Sequence, residues 1–247
     1  MDQKNWDYTS LAKHYDNRVD YAENIVSFIA QEENLLSTSR VAEVGAGTGK
    51  LTKLLVKAKF LIDSIEPNDA MREIGIKNVP EAHWSKGTAE NTNLQENNYD
   101  SIWFGSSFNV INLKDSLEES KRICKPNSLL VCMWNHRFLL DKKQIEIEQL
   151  IKNAIPNFSY GSRRNDPTQS LIDSGLFEYT KKISIKFDAR VSSENYINAW
   201  KSHATLRRQC ENDYEFNSII EKIADNLIGE STILVPFETN AWFARFK

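Results

Sequence analysis

The run Val41-Ala42-Glu43-Val44-Gly45-Ala46-Gly47-Thr48-Gly49-Lys50-Leu51 constrains this chain more than any other stretch. Val41 to Val44 is a short apolar run, the mark of a buried strand. Three alternate glycines follow, and then Leu51, Leu54, Leu55 and Ala58 fall at helical spacing. Strand, glycine turn and helix together make a site for an anion or a polar cofactor. The helix N-terminus offers unpaired N–H groups and a positive dipole end, and glycine lets a ligand approach the backbone. A P-loop needs four residues between its glycines and then Lys and Ser/Thr. Here three residues separate Gly45 from Gly49, and Leu51 follows Lys50, so that reading fails. A dinucleotide fingerprint needs Gly or Ala where Lys50 stands, which makes a nicotinamide cofactor the weaker reading.

The pattern Glu-x-Gly-x-Gly-x-Gly instead resembles motif I of the class I S-adenosylmethionine (SAM)-dependent methyltransferases. Further segments carry the same resemblance. Phe60 to Asp69 reads as a second strand that Pro67 stops, leaving Glu66 at its tip. An acid there, about 20 residues past the first glycine, is suited to accept hydrogen bonds from ribose hydroxyls, a feature that NAD and SAM proteins share. Asn68 or Asp69 then caps a helix through Ile74. His83 to Glu90 reads as a third strand and turn, and its Gly-Thr-Ala-Glu resembles the segment that edges the adenine of SAM. Tyr99 to Gly105 is the fourth strand, Leu117 to Lys125 a helix, and Leu129 to Trp134 the fifth strand. Between these last two, Asn127-Ser128 replace the usual Gly-Gly of the family's turn, and Asn tolerates the positive φ required. After the fourth strand stands Gly-Ser-Ser-Phe, not the Asn/Asp-Pro-Pro-Tyr of enzymes that methylate base amines in nucleic acid.

The resemblance is nearest to the small-molecule methyltransferases typified by the ubiquinone/menaquinone and trans-aconitate enzymes. It is strongest over Val41 to Trp134. It implies a doubly wound α/β fold with a seven-stranded, mostly parallel sheet of order 3-2-1-4-5-7-6, strand seven antiparallel, and a helical lid. Alternation of strands and helices supports the doubly wound class independently. The implied cofactor is SAM, with S-adenosylhomocysteine as product. Its expected binding residues are Tyr15, Glu43, Gly45, Ala46, Gly47, Gly49, Glu66, Pro67, Thr88, Ala89, Glu90, Gly105 and Ser106. Tyr15 lies in a segment, Leu11 to Arg18, which resembles the one where a tyrosine closes over SAM.

One methyltransferase domain is expected over residues 1–247. Within it lie a helical N-terminal segment at 1–36, a SAM-binding core at 38–135 and a lid insert at 192–228. Ala22, Ile25, Val26 and Ile29 form the apolar stripe of a helix before the first strand. Another helix carries Ile147, Leu150, Ile151, Ala154 and Ile155 on one face. Glu178 to Asp188 alternates as a sixth strand, and Ile233 to Phe246 is a seventh, split by Pro236. The insert between them, too long for a hairpin loop, is expected to be functional or capping.

A base is needed only where the acceptor must lose a proton. His136, just past the fifth strand, is the candidate, with His203 the other available imidazole. Phe108, Asn109, Arg163, Arg164, Tyr196, Trp200 and His203 are the expected acceptor-binding residues. An arginine, Arg163 or Arg164 first, would hold an acidic group in two parallel hydrogen bonds. The expected activity is methyl transfer to O or N of a small, acidic metabolite. A catalytically silent SAM-binding module or partner subunit is the alternative, and a NAD-dependent oxidoreductase is disfavoured by Lys50 and the Gly-Thr-Ala-Glu turn.

Composition agrees with a small-molecule partner. Lys+Arg of 31 against Asp+Glu of 34 gives a net charge of -3, against the basic surface expected of a nucleic-acid binder. Cys124, Cys132 and Cys210 form no CxxC, and the four histidines show no ligand spacing, so neither a disulfide framework nor a metal site is expected. No apolar run approaches the roughly 18–20 residues of a membrane span, and a cytoplasmic location is expected.

Overall fold

A computed structural model describes Thr9 and residues 11–247. Seven strands form one mixed, mostly parallel sheet: β1 (Arg40–Val44), β2 (Leu61–Ile65), β3 (His83–Ser85), β4 (Tyr99–Gly105), β5 (Cys124–Arg137), β6 (Phe177–Ser192) and β7 (Thr232–Phe246). Their spatial order is β3-β2-β1-β4-β5-β7-β6, as the resemblance implied. The pairs β1–β2, β1–β4, β2–β3 and β4–β5 are parallel. Parallel neighbours need crossovers, which α3 (Lys50–Lys57), α4 (Asp69–Asn78) and α5 (Leu113–Ile123) provide. The order reverses between β1 and β4, and ligands of open α/β sheets bind outside the strand ends at such a point.

The chain divides into two compact units. The first holds Asp20–Asn135, Ser162–Ile185 and Thr239–Lys247. Its core joins Ala42, Val44, Ile65, Ile102, Phe104, Leu130, Trp134 and Trp242. The second holds the described residues up to Val19, His136–Gly161 and Lys186–Glu238. Its core gathers Ile147 and Ile151 of α6 (Lys142–Ala154) with Tyr196, Trp200, Leu206, Ile219, Ile223 and Val235.

Several expected boundaries move, each for a local reason. Among the described residues before β1, α1 (Ala12–Tyr15) and α2 (Ile25–Glu32) are helical. The stripe of α2 is as expected, with Ala22, Ile25, Val26 and Ile29 buried. The α5 helix starts four residues early because the Asn112 side chain accepts from the Asp115 N–H. Asn68, not Asp69, caps α4 through the Met71 N–H at 3.0 Å. The fifth strand begins at Cys124 rather than after the turn. Tyr99 pairs with Cys124 and Ser101 with Leu129, so residues 125–128 bulge out of the ladder, with Asn127 at φ 58°. Pro236 does not split β7: it lacks a donor, but its carbonyl accepts from the Phe138 N–H at 2.9 Å. The long insert forms three helices, α7 (Ser193–Lys201), α8 (Ala204–Gln209) and α9 (Asp213–Asp225).

Glu33, 4% exposed, fastens the end of α2 to the β6 and β7 strands. Its carboxylate accepts from Lys181 Nζ at 2.8 Å, from Arg245 Nη2 at 2.9 Å and from the Tyr179 hydroxyl. Burial alone would raise its pKa, but the hydrogen bonds from Lys181, Tyr179 and Arg245 hold it below the usual carboxylate value. A depressed carboxylate stabilises above its unfolded pKa and loses that contribution as pH falls through the folded value. Glu33→Ala should therefore cost about 2 kcal/mol in urea unfolding at neutral pH, with the two proteins converging in acid.

Candidate cofactor and active site

The β1 strand ends at Val44, and the chain turns through Gly45, Gly47 and Gly49 at φ 71°, 60° and 90°. Two of these positions demand glycine for packing as well. A Cβ at Gly45 would sit 2.6 Å from Ser107 Cβ, and one at Gly49 would sit 2.9 Å from Val79 Cγ2. Ala46 is buried beside them. The turn is tied to β2, because the Gly45 and Ala46 N–H groups both donate to the Ile65 carbonyl. It is tied again at the tip, where the Gly47 N–H donates to Glu66 Oε2 at 2.8 Å.

Glu66 is 7% exposed and accepts through its other oxygen from the Asn68 N–H at 2.9 Å. Burial raises its pKa, and the bonds from Asn68 and Gly47 only partly offset that. Each carboxylate oxygen still has acceptor capacity, so the group suits a ligand that brings hydroxyl donors. Pro67 follows, exposed. The N-terminus of α3 has Gly49 as its N-cap and no side-chain cap, and the Thr48 hydroxyl is buried with no partner. An orphaned hydroxyl and an acid with spare lone pairs fit the polar half of a nucleoside cofactor.

The strand end of β4 lies against the same turn. Ser107 Oγ donates to the Val44 carbonyl at 2.7 Å. Ser106 has φ 61°, uncommon for a residue with a Cβ, and its hydroxyl lies 2.9 Å from the Tyr21 hydroxyl. Gly105 leaves room for that contact, since a Cβ there would stand 3.0 Å from Tyr21 Oη. At the third expected segment, Thr88 and Asn91 close a turn, Ala89 joins the core that holds Val44 and Ile65, and Glu90 accepts from the Asn112 N–H at 2.8 Å. Phe108 is buried edge-on to Phe104 at 5.2 Å. Asn109 meets the loop at 162–164: its Nδ2 donates to the Ser162 carbonyl at 3.0 Å. Arg164 is half-buried, and the Arg163 side chain lies outside the described residues.

The remaining expected residues belong to the second unit. Tyr15 carries the Arg18 guanidinium 4.2 Å from its ring centroid. His136 is half-buried on β5. Tyr196 and Trp200 are buried in the core, and His203 stacks on Trp200 at 5.1 Å while its Nδ1 accepts from the Leu206 N–H. Among the described residues, no group of three or more His, Cys, Asp and Glu side chains could hold a metal ion, and no helix is long and apolar enough to cross a membrane.

Residues 42–132 match the family model for the methyltransferase domain. Over these residues the chain is similar to methyltransferase domains. An uncharacterised methyltransferase of Schizosaccharomyces pombe is 28% identical over 130 residues, which is 52% of each chain. The match thus spans about half of that relative's length. Among solved structures, one from Anabaena variabilis, described as a methyltransferase from an antibiotic biosynthesis pathway, aligns with a TM-score of 0.63 at 19% identity. It covers 90% of this chain and 98% of the other. A phosphoethanolamine N-methyltransferase of Haemonchus contortus, solved with S-adenosylhomocysteine, aligns with a TM-score of 0.56 at 9% identity, over 99% of this chain and 58% of its own. These structural likenesses show the fold, which is that of the class I methyltransferases.

Within this stretch, Glu43 plays a part its place in the motif does not reveal. It is 1% exposed and lies behind the glycine turn, where Oε2 accepts from the Thr52 hydroxyl at 2.6 Å and the Ser64 hydroxyl at 3.3 Å. Burial pushes its pKa up to about 8, with the charge of Glu66 adding to the shift, so it is mostly protonated at neutral pH. The folded chain then holds a proton that the unfolded chain has released, and stability falls as pH rises from the usual carboxylate range to about 8. Glu43→Gln, which mimics the protonated form, should flatten that slope in urea unfolding across the same range. The raised pKa of Glu66 leaves a slope of the same sign, and a variant that kept the full slope would contradict the assignment.

The sequence reading missed Tyr21 and Arg137. Tyr21 gave no signal, lying in the polar approach to α2. Arg137 was visible as a cation ending an apolar strand, next to the histidine that drew attention.

Proposed function

We propose that this chain is a SAM-dependent methyltransferase acting on an oxygen or nitrogen of a small, acidic metabolite. The observation that carries the reading is Glu66, a buried carboxylate at the tip of β2, bound to the glycine turn and keeping acceptor capacity for ribose hydroxyls. Gly45, Ala46, Gly47 and Gly49 would face the cofactor through backbone, and Thr88, Ala89 and Glu90 would edge its adenine. Pro67, Gly105 and Ser106 complete the set with Tyr15 and Glu43, the last acting from behind the turn. When bound, SAM supplies a methyl group already activated on a sulfonium. The residues of the chain have to align the acceptor, exclude water and take up a proton where the acceptor carries one.

His136 is the proposed base for a hydroxyl or amine acceptor, and a carboxylate acceptor would need none. The insert at 192–228, which holds Tyr196, Trp200 and His203, is proposed to be functional, and Phe108 and Asn109 are proposed acceptor contacts of the first unit. The net charge of -3 supports a small acceptor over a nucleic acid. The three cysteines, all free and buried, suit a reducing cytoplasm.

S-adenosylhomocysteine should raise the unfolding temperature, because a ligand bound only by the native state stabilises it. Glu66→Ala should weaken that ligand by roughly 1–3 kcal/mol in calorimetry. Tight NAD binding with none of S-adenosylhomocysteine would remove the proposal, and cofactor binding without turnover on any acceptor would leave a silent module.

Arg163 and Arg164 are the proposed anchors for the acidic group, on the loop that Asn109 meets through Ser162. Single substitution of each by Gln should raise KM for the acceptor and leave SAM affinity unchanged. An unaltered kcat/KM in both variants would return these residues to the surface.

A further inference from the structure

Ser106, the first residue past β4, stands at φ 61°, in the left-handed region that a residue with a Cβ seldom adopts. Backbone outliers persist only where their surroundings hold them, and they gather at functional sites. The Ser106 N–H donates to the Met133 carbonyl at 2.8 Å, and the Ser106 hydroxyl lies 2.9 Å from the Tyr21 hydroxyl. The fit around that contact is close. A Cβ at Gly105 would stand 3.0 Å from Tyr21 Oη. The next residue, Ser107, donates to the Val44 carbonyl and would lie 2.6 Å from a Cβ at Gly45. The backbone at Ser106 therefore sets where Ser107 rests against the glycine turn.

Tyr21 is itself held on both sides. The Asp20 carbonyl accepts from Asn135 Nδ2 at 2.8 Å, and the Ala22 N–H donates to Thr239 Oγ1 at 2.8 Å. Thr239 donates in turn to Asn135 Oδ1 at 3.0 Å, which joins the two anchors. Asn135 belongs to β5 and Thr239 to β7, so residues 20–22 are fastened to the sheet. Lys50, the residue that departs from a dinucleotide fingerprint, reaches the same segment, with its Nζ 2.7 Å from Asp20 Oδ1. Asp20 is exposed, so that ion pair adds little and the backbone anchors do most of the holding. A hydroxyl placed by two backbone anchors can hold a strained residue, where a freely moving one would yield to it.

We propose that Tyr21 is a positioning residue of the cofactor site: its hydroxyl holds Ser106 in the left-handed conformation, and Ser106 sets the 105–107 segment against Gly45. This rests on the reading of the glycine turn as a SAM site. Without the Tyr21 hydroxyl, Ser106 relaxes toward negative φ in the ligand-free chain, and binding must restore the strained backbone. Apparent affinity then falls with the fraction of chains that remain competent.

The test is calorimetry of S-adenosylhomocysteine with the full chain and three variants, with thermal unfolding of each ligand-free protein to show that it is folded. Tyr21→Phe keeps the ring and removes the hydroxyl, and it should weaken the ligand about three- to tenfold, the scale of one hydrogen bond. Ser106→Ala should do the same, because it keeps the Cβ that disfavours positive φ and loses the bond that offsets it. Ser106→Gly loses the same bond but carries no such penalty, so it should bind within about twofold of wild type. A direct contact between the Ser106 hydroxyl and the ligand would make Ser106→Gly as weak as Ser106→Ala, and that result overturns the proposal. Wild-type affinity in Tyr21→Phe overturns it as well. In the ligand-free chain, the Ser106 amide should exchange hydrogen faster in Tyr21→Phe than in wild type, and unchanged exchange would fault the role of Tyr21 whether or not the ligand binds. Failure of the wild type to bind S-adenosylhomocysteine would fault the methyltransferase reading instead.

Discussion

The hydrogen bond from the Gly47 N–H to the Glu66 carboxylate joins the ends of β1 and β2 at the point where the chain is conformationally loosest. Alternate glycines widen the unfolded ensemble, so a turn built from them must be held by its surroundings. Here the surroundings are specific. Ile65 accepts from Gly45 and Ala46, Glu66 accepts from Gly47, and Ser107 reaches from the end of β4 to the Val44 carbonyl.

Two buried carboxyls flank that turn and do different work. Glu43 is buried deeply enough to keep its proton at neutral pH, and hydroxyls from α3 and β2 converge on it. It supports the turn without adding a charge to the ligand side. Glu66 keeps two backbone donors on separate oxygens and retains acceptor capacity for a ligand's hydroxyls. Charge of the same sign at both positions would be costly in so dry a place, and the raised pKa of Glu43 resolves the conflict.

Much of this was legible in the sequence. The glycine spacing separated the turn from a P-loop, and Pro67 placed Glu66 at a strand tip. The alternation of strands with amphipathic helices gave the doubly wound class. The strand order came from family resemblance, since periodicity carries no information about which strands are neighbours. What was not legible depended on contacts between distant segments. Tyr21 meets Ser106 across 85 residues, and Arg137 finds Tyr196 and Trp200 in a helix far along the chain. The bulge at 125–128 and the unbroken β7 show the same limit. Local turn chemistry predicted breaks, and pairing across the sheet decided otherwise.

The central claim is that the turn and Glu66 cradle the nucleoside of SAM, and a crystal structure of the chain with S-adenosylhomocysteine tests it most directly. The account predicts the ribose hydroxyls within hydrogen-bonding reach of Glu66, with Glu66 still accepting from the Gly47 N–H. A ligand bound away from Glu66, or a glycine turn rebuilt with that hydrogen bond broken, would contradict it.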